Sequence, residues 1–140
     1  MKIFLAVDGS PYTKKMLAYL TTHPELFGPN PQFTVFNAQT ALPPRAKAAL
    51  GNEEVAKYHA EEADKVLKPV IKFLTQSGIT AKTGWKVGST ADVIVKAIET
   101  GKFDIAVMGS HGHGGLAKLV MGSITAQVLA KSVVPVLVVR

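Results

Sequence analysis

The sequence predicts an α/β fold: a five-stranded parallel sheet covered by helices on both faces. Three observations lead there. Short apolar, β-branched runs alternate with helix-periodic stretches in the order β-α-β-α-β-α-β-α-β, with no internal repeat. Such alternation joins parallel strands through right-handed crossovers. At 140 residues, 47 % of them hydrophobic, the chain can form one domain with a proper core. Finally, a glycine-rich loop from Met108 to Gly115 links a strand to the helix that follows it.

The first strand is Lys2 to Val7, ended by Asp8-Gly9. Ser10 suits an N-cap and Pro11 the first turn of a helix that buries Met16, Leu17 and Leu20. That helix stops near His23, because Pro24 disfavours helix before it. Phe27 to Pro31 reads as a loop and Gln32 to Ala38 as the second strand. Thr40 to Gly51 contains Pro43-Pro44 and little periodicity, and reads as a connection on the side where the second strand ends. Asn52 suits the cap of the second helix, with Glu53 and Glu54 complementing its dipole. Apolar residues recur there at Val55, Ala63, Val66, Leu67, Val70, Ile71 and Leu74; Pro69 should bend the helix and Gly78 ends it. Ile79 to Val87 is the third strand. Ser89 and Asp92 have capping-box spacing at the head of the third helix, which turns Ala91, Ile94, Val95 and Ile98 to the core and stops at Gly101. Phe103 to Met108 is the fourth strand. A fourth helix starts about Gly122 and runs to about Lys131, and Val133 to Val139 is the fifth strand.

Composition excludes several classes. There is no cysteine, hence no disulfide framework and no thiolate chemistry. Asp8 interrupts the apolar N-terminal run, which reads as a strand rather than a signal peptide, and no run reaches membrane-spanning length. The cytoplasm is the expected compartment. The net charge of +6 comes from dispersed lysines. Lys57, Lys65, Lys68 and Lys72 share the outer side of the second helix, which is the pattern of a solvated face. Without basic runs or aromatic-basic interleaving, nucleic acid is not an expected partner. The positive surplus favours an anionic small ligand instead.

The glycine loop carries the chemistry. Glycine accepts positive φ and lets a ligand approach the backbone closely. Successive N–H groups in such a loop, with a helix N-terminus behind them, form an anion site. The alternative is a turn, but Gly109, Gly112, Gly114 and Gly115 are more glycines than a turn needs. In a parallel sheet ligands sit at the carboxyl ends of the strands where winding reverses. If the first and fourth strands are neighbours, Asp8, the loop and the end of the second strand share one crevice. Gly112-x-Gly114-x-x-Ala117 matches a dinucleotide fingerprint, but it follows the fourth strand and no acidic residue occurs after Asp104. A Walker A loop is absent. His111 and His113 lack the further ligands a metal site needs. Asp8 can start the first helix, contact a ligand, or serve as a base or magnesium anchor; a lone carboxylate makes the last reading weak. Lys118 could approach phosphate or face solvent. Trp85 is expected to be packed. The apolar fifth strand would be a pairing liability at a sheet edge, which a symmetric partner strand removes, so a homodimer through Val133 to Val139 is expected.

These residues resemble a known family. Val7-Asp8-Gly9-Ser10, Met108-Gly109-Ser110-His111-Gly112, the spacing Gly109-x2-Gly112-x9-Gly122-Ser123 and the closing Pro135-Val-Leu-Val-Val are similar to the universal stress protein family over the whole chain. The resemblance implies an open sheet in the order 3-2-1-4-5, Rossmann-like, and dimers through the fifth strand. It also implies the branch that binds ATP with a divalent metal, Mg or Mn. Carried over by position, Asp8 and Ala38 would contact adenine, and Met108 and Gly109 would flank the ribose. Gly112, Gly122 and Ser123 would bind phosphates, with His111 and Ile124 completing the contacts. A basic residue often stands in the family where this chain has His113. The expected role is a stress-response sensor or switch acting on an unidentified protein partner. The alternatives are a slow ATPase or nucleotide-dependent transferase, and a structural or chaperone-like dimer whose pocket is vestigial. A cyclic or di-adenosine nucleotide would suit the same pocket.

Overall fold

The computed structural model describes residues 1–113 and 120–140. Strands β1 (Lys2–Ala6), β2 (Gln32–Gln39), β3 (Ala81–Val87), β4 (Ile105–Gly109) and β5 (Val136–Val139) form a parallel sheet in the order β3-β2-β1-β4-β5. The helices are α1 (Pro11–Thr22), α2 (Pro44–Leu50), α3 (Asn52–Gln76), α4 (Thr90–Thr100) and α5 (Ser123–Lys131). The chain winds outward from β1 through β2 to β3, then returns to place β4 on the other side of β1. The winding therefore reverses between β1 and β4, where Leu5 pairs with Val107 and Ala6 with Met108.

The two-residue strand period divides the core. Ile3, Leu5, Val35 and Val107 face α1 and α3, meeting Met16, Leu20, Ala63 and Leu74. Phe4, Ala106 and Met108 face α4 and α5, meeting Ile94, Ile98 and Val128. Both faces of the central strands are thus buried, which explains why β1 and β4 read as continuous apolar runs. The four lysines of α3 are exposed, as their spacing predicts.

Several local expectations need correction. The connection from Thr40 to Gly51 contains α2, none of whose residues is buried, so it leaves no apolar period to read. A short 3-10 turn, Pro24–Phe27, precedes β2 and buries Phe27. Gly51, not Asn52, stands at the cap position of α3, and Ser10 and Ser89 occupy cap positions without a side-chain cap bond. Pro69 lies inside α3, where the sequence placed it. Trp85 is not packed away: it is 41 % exposed, because β3 is an edge strand.

Candidate functional site

Asp8 follows directly on the end of β1. Val7 N–H donates to Phe36 O at 3.0 Å, and Asn37 Nδ2 donates to Val7 O at 3.0 Å, fixing the strand ends together. Asp8 Oδ1 then accepts from Ser10 N–H at 2.9 Å and from the Thr13 hydroxyl at 3.0 Å. Asp8 N–H returns a bond to Thr13 Oγ1 at 3.2 Å. This Asx-type turn sets the chain's entry into α1. Gly9 takes φ +78° within it, a conformation an L side chain strains to adopt. Asp8 Oδ2 remains on the side facing Gly112.

The glycine segment is tied down at both ends. Ser110 N–H donates to Val139 O at 2.8 Å, Gly122 N–H to Ser110 O at 2.7 Å, and the Thr125 hydroxyl to Gly109 O at 2.9 Å. The His113 Nε2–H donates to the Asp8 carbonyl at 2.6 Å, which stitches the loop to the β1 turn. His111 shares a hydrogen bond with Ser110 Oγ at 2.8 Å and lies against Tyr12, ring centroids 4.8 Å apart. The two histidines thus make different contacts. Among the described residues no group of three His, Asp or Glu could hold a metal ion.

The reason for glycine here differs from the expectation. Gly109, Gly112 and Gly122 are not among the described residues of positive φ; Gly122 has φ −71° and ψ 159°. At each a side chain would crowd its neighbours. A Cβ on Gly109 would lie 2.7 Å from Tyr12 Cβ, one on Gly112 2.6 Å from Asp8 Oδ2, and one on Gly122 3.2 Å from His111 Cα. The loop backbone is packed directly on the Asp8 turn and on itself.

Between these segments lies a crevice whose empty space, counting the part open to solvent, is about 500 Å³. Ala6, Phe36, Ala38, Ile94, Met108 and Ile124 give it an apolar wall; Asp8, Thr13, Thr90, His111 and Thr125 give it a polar rim. Of the nine residues singled out from the sequence, Asp8, Ala38, Met108, Gly109, His111, Gly112 and Ile124 line it. Gly122 and Ser123 do not line it but adjoin it, as N-cap and first residue of α5. The cap residue Gly122 carries no side chain to bond the first N–H groups of that helix. Gly114, Gly115, Ala117 and Lys118 lie outside the described residues.

Sequence reasoning missed Thr13, Phe36, Thr90 and Ile94 on the crevice, and Tyr12 beneath the loop. Thr90 and Ile94 carry a signal that could have found them: they sit one turn apart at the head of α4, at the same end of the sheet as Asp8. His59 is buried behind β2: its Nδ1–H donates to Gln39 Oε1 at 2.7 Å, and Gln39 Nε2 donates back to His59 O at 2.8 Å.

The model of the universal stress protein family matches residues 1–140. Universal stress protein Slr1230 of Synechocystis is 33 % identical over 139 residues, 99 % of this chain but 42 % of its own length. Universal stress protein MJ0577 of Methanocaldococcus jannaschii is 40 % identical over 80 residues, 57 % of this chain and 49 % of its length. These sequence matches thus span about half of each relative or less. The solved structure of MJ0577 superposes with a TM-score of 0.82 at 29 % identity, covering 99 % of this chain and 94 % of that one. The universal stress protein of Archaeoglobus fulgidus in complex with dAMP superposes with a TM-score of 0.68 at 20 % identity, over 100 % and 98 % of the two chains, a likeness of fold.

Proposed function

The chain belongs to the universal stress protein family, and we propose that within it this protein binds an adenine nucleotide, ATP with Mg or Mn, in the crevice between β1 and β4, as a cytoplasmic sensor. One observation carries the reading. An apolar slot opens onto a backbone segment in which a Cβ at Gly109, Gly112 or Gly122 would crowd its neighbours. A planar base suits the slot, and a phosphate chain suits that segment with the α5 N-terminus behind it. The dAMP held by a relative of the same fold is consistent with that division.

Residues 1–140 act as one nucleotide-binding unit in this reading. Asp8 and Ala38 meet the base, Met108 and Gly109 flank the sugar, and His111 and Ile124 line the wall. Gly112, Gly122 and Ser123 receive the phosphates. A hard divalent cation binds chiefly through phosphate oxygens and water, so it arrives with the nucleotide. Asp8 Oδ1 is already engaged by Ser10 and Thr13, and a lone carboxylate supplies no acid–base pair; binding is favoured over turnover. The edge strand β5, with Val133 beside it 77 % exposed, is where a second copy would pair. The nucleotide acts as a switch by binding two states of the loop or dimer unequally, and so biases a protein partner.

Calorimetric titration with Mg–ATP, run beside AMP and cyclic AMP, tests this. Wild-type protein should bind one nucleotide per chain. Ala38→Tyr, which fills the slot from the end of β2, should weaken binding by about tenfold or more while the fold is kept. Absence of binding by any of the three, or equal binding by a folded Ala38→Tyr, refutes the reading.

A further inference from the structure

A second cavity lies on the other side of the Asp8 turn, in the seam between α1 and α3. Its empty space, counting the part open to solvent, is about 980 Å³. Leu17 and Val70, both 4 % exposed, form its floor, and Val66, Pro69 and Phe73 form one wall. Packed helices normally close such a seam by interlocking large side chains. Here Gly9 and Ala18 contribute almost nothing, and Pro69 offers a compact ring with no N–H, so the seam stays open and Phe73 is 38 % exposed. This assigns Pro69, which the nucleotide site does not use, a place in a binding surface.

Charge selects the occupant. Lys14 and Lys65 stand on the lining. Lys65 is paired with Glu62 at 2.9 Å, and its neighbour Lys68 with Asp64 at 3.5 Å. Lys14, exposed on α1, has no ion pair among the described residues, so the groove has an unpaired cation on its lining. The exposed lysines along α3 would set like charge against like if a second copy docked here. An extended apolar trough with one unneutralised cation at its edge fits a ligand with an apolar chain and one negative head. We propose that this groove binds a single-chain fatty carboxylate, its alkyl chain along Leu17, Val66, Val70 and Phe73 and its head group at Lys14. Thr13 borders both cavities, but the proposal stands independently of the nucleotide reading.

The test is calorimetric titration of the intact chain with dodecanoate below its micellar concentration, beside decanoate, octanoate and the cationic dodecyltrimethylammonium. The expected result is saturable binding of one dodecanoate per chain, tightening roughly tenfold for each two carbons added. Ala18→Trp, which fills the trough from an exposed position on α1, should weaken it by about tenfold or more. Phe73→Glu, also at a surface position, should do the same by setting a charge against the alkyl chain and serves if the tryptophan variant folds poorly. Lys14→Glu should weaken it by a similar factor; unchanged affinity there overturns the head-group assignment. Non-saturable uptake, equal affinity for the cationic analogue, or unchanged affinity in folded Ala18→Trp and Phe73→Glu overturns the site. Mg–ATP titrations of the same variants should match wild type, which separates this outcome from that of the crevice.

Discussion

Replacing Gly112 by alanine probes the contact that holds the loop against the Asp8 turn. The new Cβ would lie 2.6 Å from Asp8 Oδ2, so the carboxylate must retreat by about 0.8 Å to reach the 3.4 Å at which ordinary contact begins. Its other oxygen accepts from Ser10 N–H and the Thr13 hydroxyl at 2.9 and 3.0 Å, and a shift of the carboxylate strains both bonds. Hydrogen bonds to a charged acceptor contribute ~1.5–3 kcal/mol each when shielded, and less here because Asp8 is half-buried. Two weakened bonds therefore cost about 2–3 kcal/mol in all. Alanine returns about 0.4–1 kcal/mol by restricting the unfolded chain, since the φ of Gly112 lies outside the left-handed region. The net expectation is a loss of about 1–2 kcal/mol, or roughly 3–8 °C in Tm. In an Asp8→Ala background the colliding group is gone, and the same change should stabilise by about 0.4–1 kcal/mol. Urea unfolding of the four proteins of this cycle measures the coupling directly. Equal and additive effects of Gly112→Ala in both backgrounds would refute the packing argument.

Three further outcomes are expected. Gly109→Ala should destabilise by about 1–3 kcal/mol in urea unfolding, because its Cβ meets Tyr12 Cβ at 2.7 Å and Tyr12 backbone atoms at 3.2 Å, which cannot swing aside. Gln39→Ala should cost about 1–3 kcal/mol by leaving the buried His59 Nδ1–H without its acceptor, a loss that a thermal melt would register and that an unchanged Tm would contradict. Lys131, donating to Asp92 Oδ1 at 2.7 Å, holds that carboxyl below its ordinary value, with Ser89 adding to the effect. A depressed folded pKa gives stability that is present above about pH 4, the unfolded aspartate value, and lost as pH falls through the folded one. Carboxyl NMR of Lys131→Met should find the Asp92 pKa raised toward the ordinary range.

Much of this architecture is legible in the chain itself. β1 and β4 are apolar on both faces, and α3 keeps its stripe from His59 to Leu74, so period and run length identify them. The crevice followed from one topological condition, the adjacency of β1 and β4, which places Asp8 against Gly112. α2 was not legible because it buries nothing; the Pro at its first position was the available sign. Trp85 misled because an aromatic in a strand suggests burial, whereas a residue of an edge strand has a neighbour on one side only. The role of the glycines was half legible: their spacing marks the loop, but whether each serves a positive φ or a close contact depends on Tyr12, Asp8 and His111, which arrive from elsewhere in the fold. The groove between α1 and α3 depends on what two distant helices fail to fill, and local pattern does not carry that.

The most direct test of the nucleotide site is amide NMR of the labelled protein during titration with Mg–ATP. The account predicts that the N–H signals of Gly112, Gly122, Ser123 and Ile124 shift together with those of Asp8 and Ala38, while those of Lys14 and Phe73 in the α1–α3 groove stay in place. Saturating shifts confined to any other surface, with the α5 N-terminus and the Asp8 turn unmoved, would contradict it.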